Sequence, residues 1–212
     1  MAAEDTLAQI AKEVALCTNC QLHHSRKKAV PGEGPAHVEI MFIGEGPGFH
    51  ENEQGRPFVG AAGKFLDQLL AQAGVTRADV WIGNVVKCRP PENRDPELEE
   101  LSACDAFLER QIALLNPSII VTLGRFSMGK FMPDVRISQV HGQMRRVGSR
   151  YVIAMYHPAA ALHQAALKPA ILADFAKLPE LLKEARAGLG KSAPAQQAKE
   201  VRAEEPKQLN LF

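Results

Sequence analysis

Short apolar runs alternating with helical patterns limit this chain to few folds. The runs are Glu39-Ile40-Met41-Phe42-Ile43, stopping at Gly44; Val80 to Val86; Ile119 to Leu123, stopping at Gly124; and Tyr151 to Met155, ending at His157-Pro158. Between them, Phe65, Leu66, Leu69, Leu70 and Ala73 recur at helical spacing until Gly74. Asp95-Pro96 opens a second helical stretch, with Glu97, Glu99 and Glu100 at its positive end, which should run to about Leu115. A helix carrying Leu7, Ile10, Ala11 and Val14 precedes the first strand, and another from Pro169 to Arg186 follows the last. Parallel strands need crossover connections, so the expected fold is α/β: a three-layer sandwich with a central four-stranded, mainly parallel sheet flanked by helices. A chain of 212 residues suits one domain with a substantial core.

In such sheets ligands bind outside the carboxyl ends of the strands. All four strands finish in chemically distinctive loops: Gly44-Glu45-Gly46-Pro47-Gly48, Asn84 to Cys88, Gly124-Arg125, and His157-Pro158-Ala159-Ala160. The first lacks the Lys-Ser/Thr of a P-loop and the spacing of a dinucleotide fingerprint. It offers instead a carboxylate on a tight turn, with backbone amides open to close approach. A lone histidine such as His157 is more often structural than catalytic until other groups join it.

The chain has four cysteines, Cys17-x2-Cys20 and Cys88-x15-Cys104. The N-terminus opens on acidic residues and lacks the basic region and apolar run of a secretory signal, which argues for a reducing compartment and against disulfides. Burial alone could account for Cys88 and Cys104, but a Cys-x2-Cys turn holds two sulfurs together, which packing does not require. Zinc sites usually take two short knuckles, and only the first pair qualifies, although His23 and His24 could complete such a site. An iron-sulfur cluster takes thiolates from widely separated segments. Spacing alone leaves both metals open.

The formal net charge is +1, without the basic excess of many nucleic-acid binders. Local clusters stand out instead: Arg26-Lys27-Lys28 just after the first cysteine pair, and Arg145-Arg146 with Arg150 before the last strand. Either could meet phosphate. No apolar stretch approaches bilayer length, so a cytoplasmic protein with no membrane association is expected.

Gly44-Glu45-Gly46-Pro47-Gly48, Gly55-Arg56-Pro57-Phe58-Val59-Gly60, Asn84-Val85-Val86-Lys87-Cys88-Arg89-Pro90-Pro91 and His157-Pro158 resemble, in order, the motifs of the family 4 uracil-DNA glycosylases. The resemblance spans about Leu7 to Glu184. It implies the uracil-DNA glycosylase fold and a monofunctional hydrolase of base excision repair that excises uracil, leaving an abasic site. It also implies a structural 4Fe-4S cluster on Cys17, Cys20, Cys88 and Cys104. Carried onto these positions, Phe58 stacks on uracil, Asn84 reads it, and the Gly46 backbone contacts it. His157 stabilises the departing anion, Glu45 directs the attacking water, and Glu51 crowds C5 against thymine. Arg26, Lys27 and Lys28 would lie near the DNA backbone, and Leu162 would serve as a wedge where the base leaves the stack. A related branch of the superfamily carries a basic, histidine-containing insertion and attaches covalently to uracil. Here Cys88 leads through Arg89 to Arg94 straight to the Asp95 helix, so turnover is expected rather than trapping.

From Ala187 the sequence turns to Gly, Ala, Lys, Gln, Glu and Pro, a linker composition. The expected division is a glycosylase domain over 1–186, a linker over 187–207 and a terminal peptide over 208–212. That peptide, Gln208-Leu209-Asn210-Leu211-Phe212, resembles the motif by which bacterial repair and replication proteins bind the sliding clamp. A linker of this length spans roughly 25 Å on average, enough to tether without fixing orientation. The protein is expected to be a monomer that joins the nucleoid when on DNA. Two other functions suit the same motifs: a non-catalytic iron-sulfur DNA-binding or lesion-sensing protein, and a mismatch glycosylase with a wider pocket.

Overall fold

The computed structural model describes residues 6–190. In chain order its main elements are α1 (Leu7–Leu16), α2 (Leu22–Ser25), β1 (Ile40–Gly44), α3 (Phe49–Gln54), α4 (Ala61–Gln72), β2 (Val80–Asn84), α5 (Leu98–Leu115) and β3 (Ile119–Leu123). There follow α6 (Arg125–Phe131), α7 (Ile137–Val140), β4 (Gln143–Val147), β5 (Arg150–Met155), α8 (Pro158–His163) and α9 (Lys168–Gly190).

The sheet runs β2-β1-β3-β5-β4. The four expected strands are the parallel ones, and β4 is a fifth, paired antiparallel to β5 at the edge. The expectation of four strands is therefore corrected to five. On the parallel strands successive side chains enter opposite helical layers, as the two-residue strand period requires. Ile40, Phe42, Val121 and Ile153 pack with Leu66 and Leu69 of α4 and Phe175 and Leu178 of α9. Met41, Ile43, Ile120 and Val152 pack with Leu108 and Ile112 of α5 and Met128 of α6. The helices bury both faces, which explains strands that are hydrophobic throughout.

Two helix boundaries differ from expectation. α5 begins at Leu98 rather than at Pro96, because the Glu100 carboxylate accepts the Glu97 N–H at 2.8 Å and pairs twofold with Arg94, at 2.9 and 2.7 Å. That makes Glu97 the N-cap. α9 continues to Gly190, four residues into the expected linker. The terminal peptide lies outside the described residues. No helix among the described residues is long and apolar enough to cross a membrane.

Parallel register brings the strand ends together. Gly44 lies beside Asn84, and Leu123 beside Met155. Beyond the sheet, Val85 and Val86 donate to the carbonyls of Gly44 and Glu45 at 3.0 and 3.1 Å, so the loop leaving β2 is stitched to the loop carrying Glu45. α1 packs across α5 through Ile10, Val14 and Phe107, and an Arg110–Glu13 ion pair joins the same two helices. This packing sets the first cysteine pair beside the other two.

Candidate active site

A cavity of about 380 Å³ opens at the carboxyl edge of the sheet, and Glu45, Gly46, Glu51, Phe58, Asn84 and His157 all line it. Every expected catalytic and base-contacting residue is therefore in one place. Asn84 is 1% exposed and its Oδ1 has no hydrogen-bond partner. A buried acceptor left unpaired costs about 1–3 kcal/mol, so this oxygen waits for a donor from a ligand. Gly44 makes room for it: a Cβ there would stand 2.4 Å from Asn84 Oδ1 and 2.7 Å from Phe58 Cζ.

Phe58 is buried, with its backbone at φ +52°, a conformation L-residues adopt only when neighbours enforce it. Glu51 supplies much of the constraint. Its carboxylate accepts N–H bonds from Val59 at 2.7 Å, Gly60 at 2.8 Å and Gly48 at 3.1 Å. Arg77 adds bonds to the carbonyls of Pro57 and Phe58 at 2.7 and 3.0 Å. The Phe58 and His157 rings stack at 5.5 Å between centroids.

His157 caps α8, accepting the Ala159 N–H on Nδ1 at 3.1 Å. The ring is half-buried and lines the cavity, and burial lowers its pKa to about 4, against a smaller opposing pull from Glu51. The ring is therefore neutral at pH 7, and with Nδ1 accepting, its proton sits on Nε2. Glu45 is half-buried. Burial, with Asp95 adding to it and Arg125 opposing, raises its pKa to about 7. Arg125 is ion-paired to Asp95.

The four cysteines line a second, smaller cavity together with Asn19, His23, Arg26 and Lys87. Asn19 N–H approaches Cys17 Sγ at 3.5 Å and Arg26 approaches Cys88 Sγ at 3.6 Å. Burial pushes Cys104 up to about 11 and raises Cys88, so ionising these thiols calls for a compensating positive centre. Among the described residues no three His, Cys, Asp or Glu are arranged to hold a metal ion. Four thiols lining one cavity form an all-sulfur donor set, which suits a thiolate-ligated iron-sulfur cluster. His23 is bonded through Nδ1 to the Cys20 carbonyl at 2.7 Å, and the exposed His24 ring lies 3.7 Å from it, outside the cavity wall.

The sequence model of the uracil DNA glycosylase superfamily matches residues 31–182. The chain belongs to the uracil-DNA glycosylase superfamily. It is 46% identical over 187 residues to a type-4 uracil-DNA glycosylase of Sulfurisphaera tokodaii, covering 84% of this chain and 85% of that one. It is 44% identical over 187 residues to the type-4 enzyme of Archaeoglobus fulgidus, covering 84% and 94%. To that of Thermotoga maritima it is 41% identical over 186 residues, covering 85% and 97%.

Within this superfamily frame, several residues stand where sequence reasoning did not put them. Arg26 donates to the Cys17 carbonyl at 2.6 Å and the Ala15 carbonyl at 2.8 Å, besides approaching Cys88. Its guanidinium is spent on the cysteine site. Lys27 is ion-paired with Glu53, and Lys28 lies along Gly55. Leu162 is 52% exposed on α8, two residues beyond the cavity-lining Ala160. Arg150 bonds the Pro117 carbonyl and Asn116 Oδ1 at the opposite end of the sheet, away from the cavity.

Sequence reasoning also passed over Asn93, Arg94 and His163, which line the active-site cavity. The available signal was position: the first two lie in the short connection from Cys88 to α5, and His163 ends the short helix that His157 caps.

Proposed function

We propose that the protein hydrolyses the N-glycosidic bond of uracil in DNA, releasing the base and leaving an abasic site for base excision repair. The observation that carries this is the buried, unpartnered Oδ1 of Asn84 beside Phe58 and across from a neutral His157. A base in a duplex cannot be attacked in place, so the nucleotide is flipped into the cavity. Phe58 stacks on it while Asn84 accepts from N3–H and donates to O4, a pattern that cytosine inverts. The wrong base leaves the buried amide unpaired, which supplies discrimination. The Gly46 backbone meets the base, and Glu51 crowds its C5 side against thymine.

Cleavage puts negative charge on the departing base and positive character on the sugar. His157 donates from Nε2–H to uracil O2, stabilising that charge without itself transferring a proton. Glu45, as carboxylate, orients or deprotonates the water that attacks C1′, and its charge favours the cationic sugar. The connection from Cys88 to α5 is nine residues, Arg89–Glu97, with no room for the basic, histidine-containing insertion, so no adduct with DNA should survive denaturation.

Cys17, Cys20, Cys88 and Cys104 would hold a 4Fe-4S cluster. When bound, it supplies a cross-link between the α1–α2 turn, the loop after β2 and α5. Lys27 and Lys28 would face DNA backbone, with Arg26 behind them, and Leu162 would act as wedge. Gln208, Leu209, Leu211 and Phe212 would engage a sliding clamp. Deleting residues 208–212 should then abolish clamp binding while sparing cleavage of free oligonucleotides.

The test uses duplexes with a single uracil or a single thymine–guanine mismatch, incubated with wild type, Glu45→Ala and His157→Ala, then cleaved with alkali at abasic sites. Cleavage of the uracil strand alone, lost in both variants, is expected. No cleavage by iron-loaded wild type would point to a non-catalytic lesion-sensing protein, and cleavage at thymine to a mismatch glycosylase.

A further inference from the structure

Lys87 is 1% exposed, on the loop joining the base-reading Asn84 to Cys88. Its ammonium donates to the Asn84 carbonyl at 2.8 Å and to Gln111 Oε1 at 2.7 Å. Both are neutral acceptors. A buried cation normally has an anion against it, because removing a charge from water costs several kcal/mol that a dipole alone does not return. Lys87 forms part of the wall of the four-cysteine cavity, where ionised thiolates would supply that anion.

The surroundings hold this position firmly. Gln111 reaches on through Nε2 to the Pro31 carbonyl at 2.7 Å, and the Lys87 carbonyl accepts the Val30 N–H at 2.8 Å. Lys87 thus links the cysteine cavity to the end of β2, where Asn84 stands in the proposed uracil site.

We propose that Lys87 is the internal counter-cation of the four-thiolate site, balancing the net negative charge of a thiolate-ligated iron-sulfur cluster and bracing it to the strand end that carries Asn84. This rests on the iron-sulfur reading above. Lys87 is a positioning residue: it touches neither base nor sugar.

The experiment compares full-length, anaerobically purified wild type with Lys87→Met, Lys87→Arg, Gln111→Leu and Gln111→Glu. Readouts are iron and sulfide per chain, loss of visible charge-transfer absorption under a chelator, and the cluster's reduction potential. Lys87→Met, similar in shape but uncharged, should lose iron about tenfold faster or more, and the cluster that remains should have a more negative potential. Lys87→Arg should restore the potential. Gln111→Leu removes a bond but no charge, and should leave the potential unchanged. Should Lys87→Met not fold, Gln111→Glu offers the ammonium a competing carboxylate and should lower the potential and speed iron loss.

A wild-type potential in Lys87→Met or Gln111→Glu would overturn the proposal. So would a shift in Gln111→Leu equal to that in Lys87→Met, which would assign the effect to packing. Wild type without iron and sulfide would remove the cluster reading, and this proposal with it. A stable cluster indifferent to Lys87 would remove this proposal alone.

Discussion

The backbone N–H of Ala159 donates to Nδ1 of His157 at 3.1 Å, which leaves the single proton of a neutral imidazole on Nε2. The N-terminal turn of α8 thereby selects the tautomer that can donate to uracil O2. Enclosure lowers the pKa to about 4, so the ring should stay neutral, with Nε2 protonated, down to about pH 5. Nitrogen NMR of labelled histidine checks this directly. A midpoint near the ordinary 6.5 would contradict it. His157→Ala should lower kcat by about 10²–10³, on the order of 3–4 kcal/mol of transition-state stabilisation.

In the proposed mechanism Glu45 directs water as its carboxylate, yet burial and Asp95 raise its pKa to about 7. A group needed as its base gives a rate that rises with pH through that value. Accordingly kcat/KM should climb about tenfold per pH unit below 7 and level off above it, with no descending limb from His157. Asp95→Asn removes a neighbour that raises the pKa and frees Arg125, which lowers it, so the limb should move to lower pH. Movement to higher pH would show that Glu45 is not the titrating group.

The same burial that tunes Glu45 costs stability. Its folded pKa lies above the ordinary 4.5, so its favourable contribution is complete below about pH 4.5 and is lost as pH rises through about 7. At pH 8 the folded protein holds a half-buried carboxylate that the unfolded chain would hydrate fully. Glu45→Gln should therefore be inactive yet more stable than wild type at pH 8, by about 1–2 kcal/mol after allowance for partial exposure. The advantage should disappear at pH 4. Denaturant melts at the two pH values measure it, and equal differences at both would sink the argument.

Much of this was legible in the sequence, for identifiable reasons. The parallel strands are buried on both faces, so they read as continuous apolar runs, and Gly44 and Gly124 mark where two of them stop. β4 was not legible. Gln143-Met144-Arg145-Arg146-Val147 has no fully buried residue, and it exists because Gly148, at φ +59°, turns the chain so that the segment pairs with β5. At the site, Glu45, Asn84 and His157 stand at or just past strand ends, and the motif resemblance singled them out. The environment of Arg26 was not found, since a basic triplet does not disclose that one member turns inward to carbonyls and a thiol. Nor does a glutamate in sequence reveal that three backbone amides converge on it, as they do on Glu51.

That convergence separates two roles for Glu51. If the carboxylate mainly clamps the Phe58 loop, Glu51→Gln keeps the bulk beside the cavity but loses an acceptor for the Gly48, Val59 and Gly60 amides. Uracil KM should rise about tenfold, in keeping with the loss of one or two charge-assisted bonds, with no excision of thymine. Glu51→Ala removes bulk as well. If crowding at C5 excludes thymine, this variant alone should begin to cleave thymine–guanine mismatches. Thymine excision by Glu51→Gln would contradict the clamp.

Gly44 offers the most local test of the uracil pocket. It is the last residue of β1 and buried, and an added Cβ would meet the unpartnered Asn84 Oδ1 at 2.4 Å and Phe58 Cζ at 2.7 Å. Both contacts are closer than real Cβ atoms approach, and both neighbours line the proposed base site. Gly44→Ala should therefore push Asn84 and Phe58 apart at a cost to folding of about 1–3 kcal/mol. The loss of uracil excision should be far larger than the loss of stability implies. Near-normal uracil excision by Gly44→Ala would mean that the base does not occupy the space between Asn84 and Phe58.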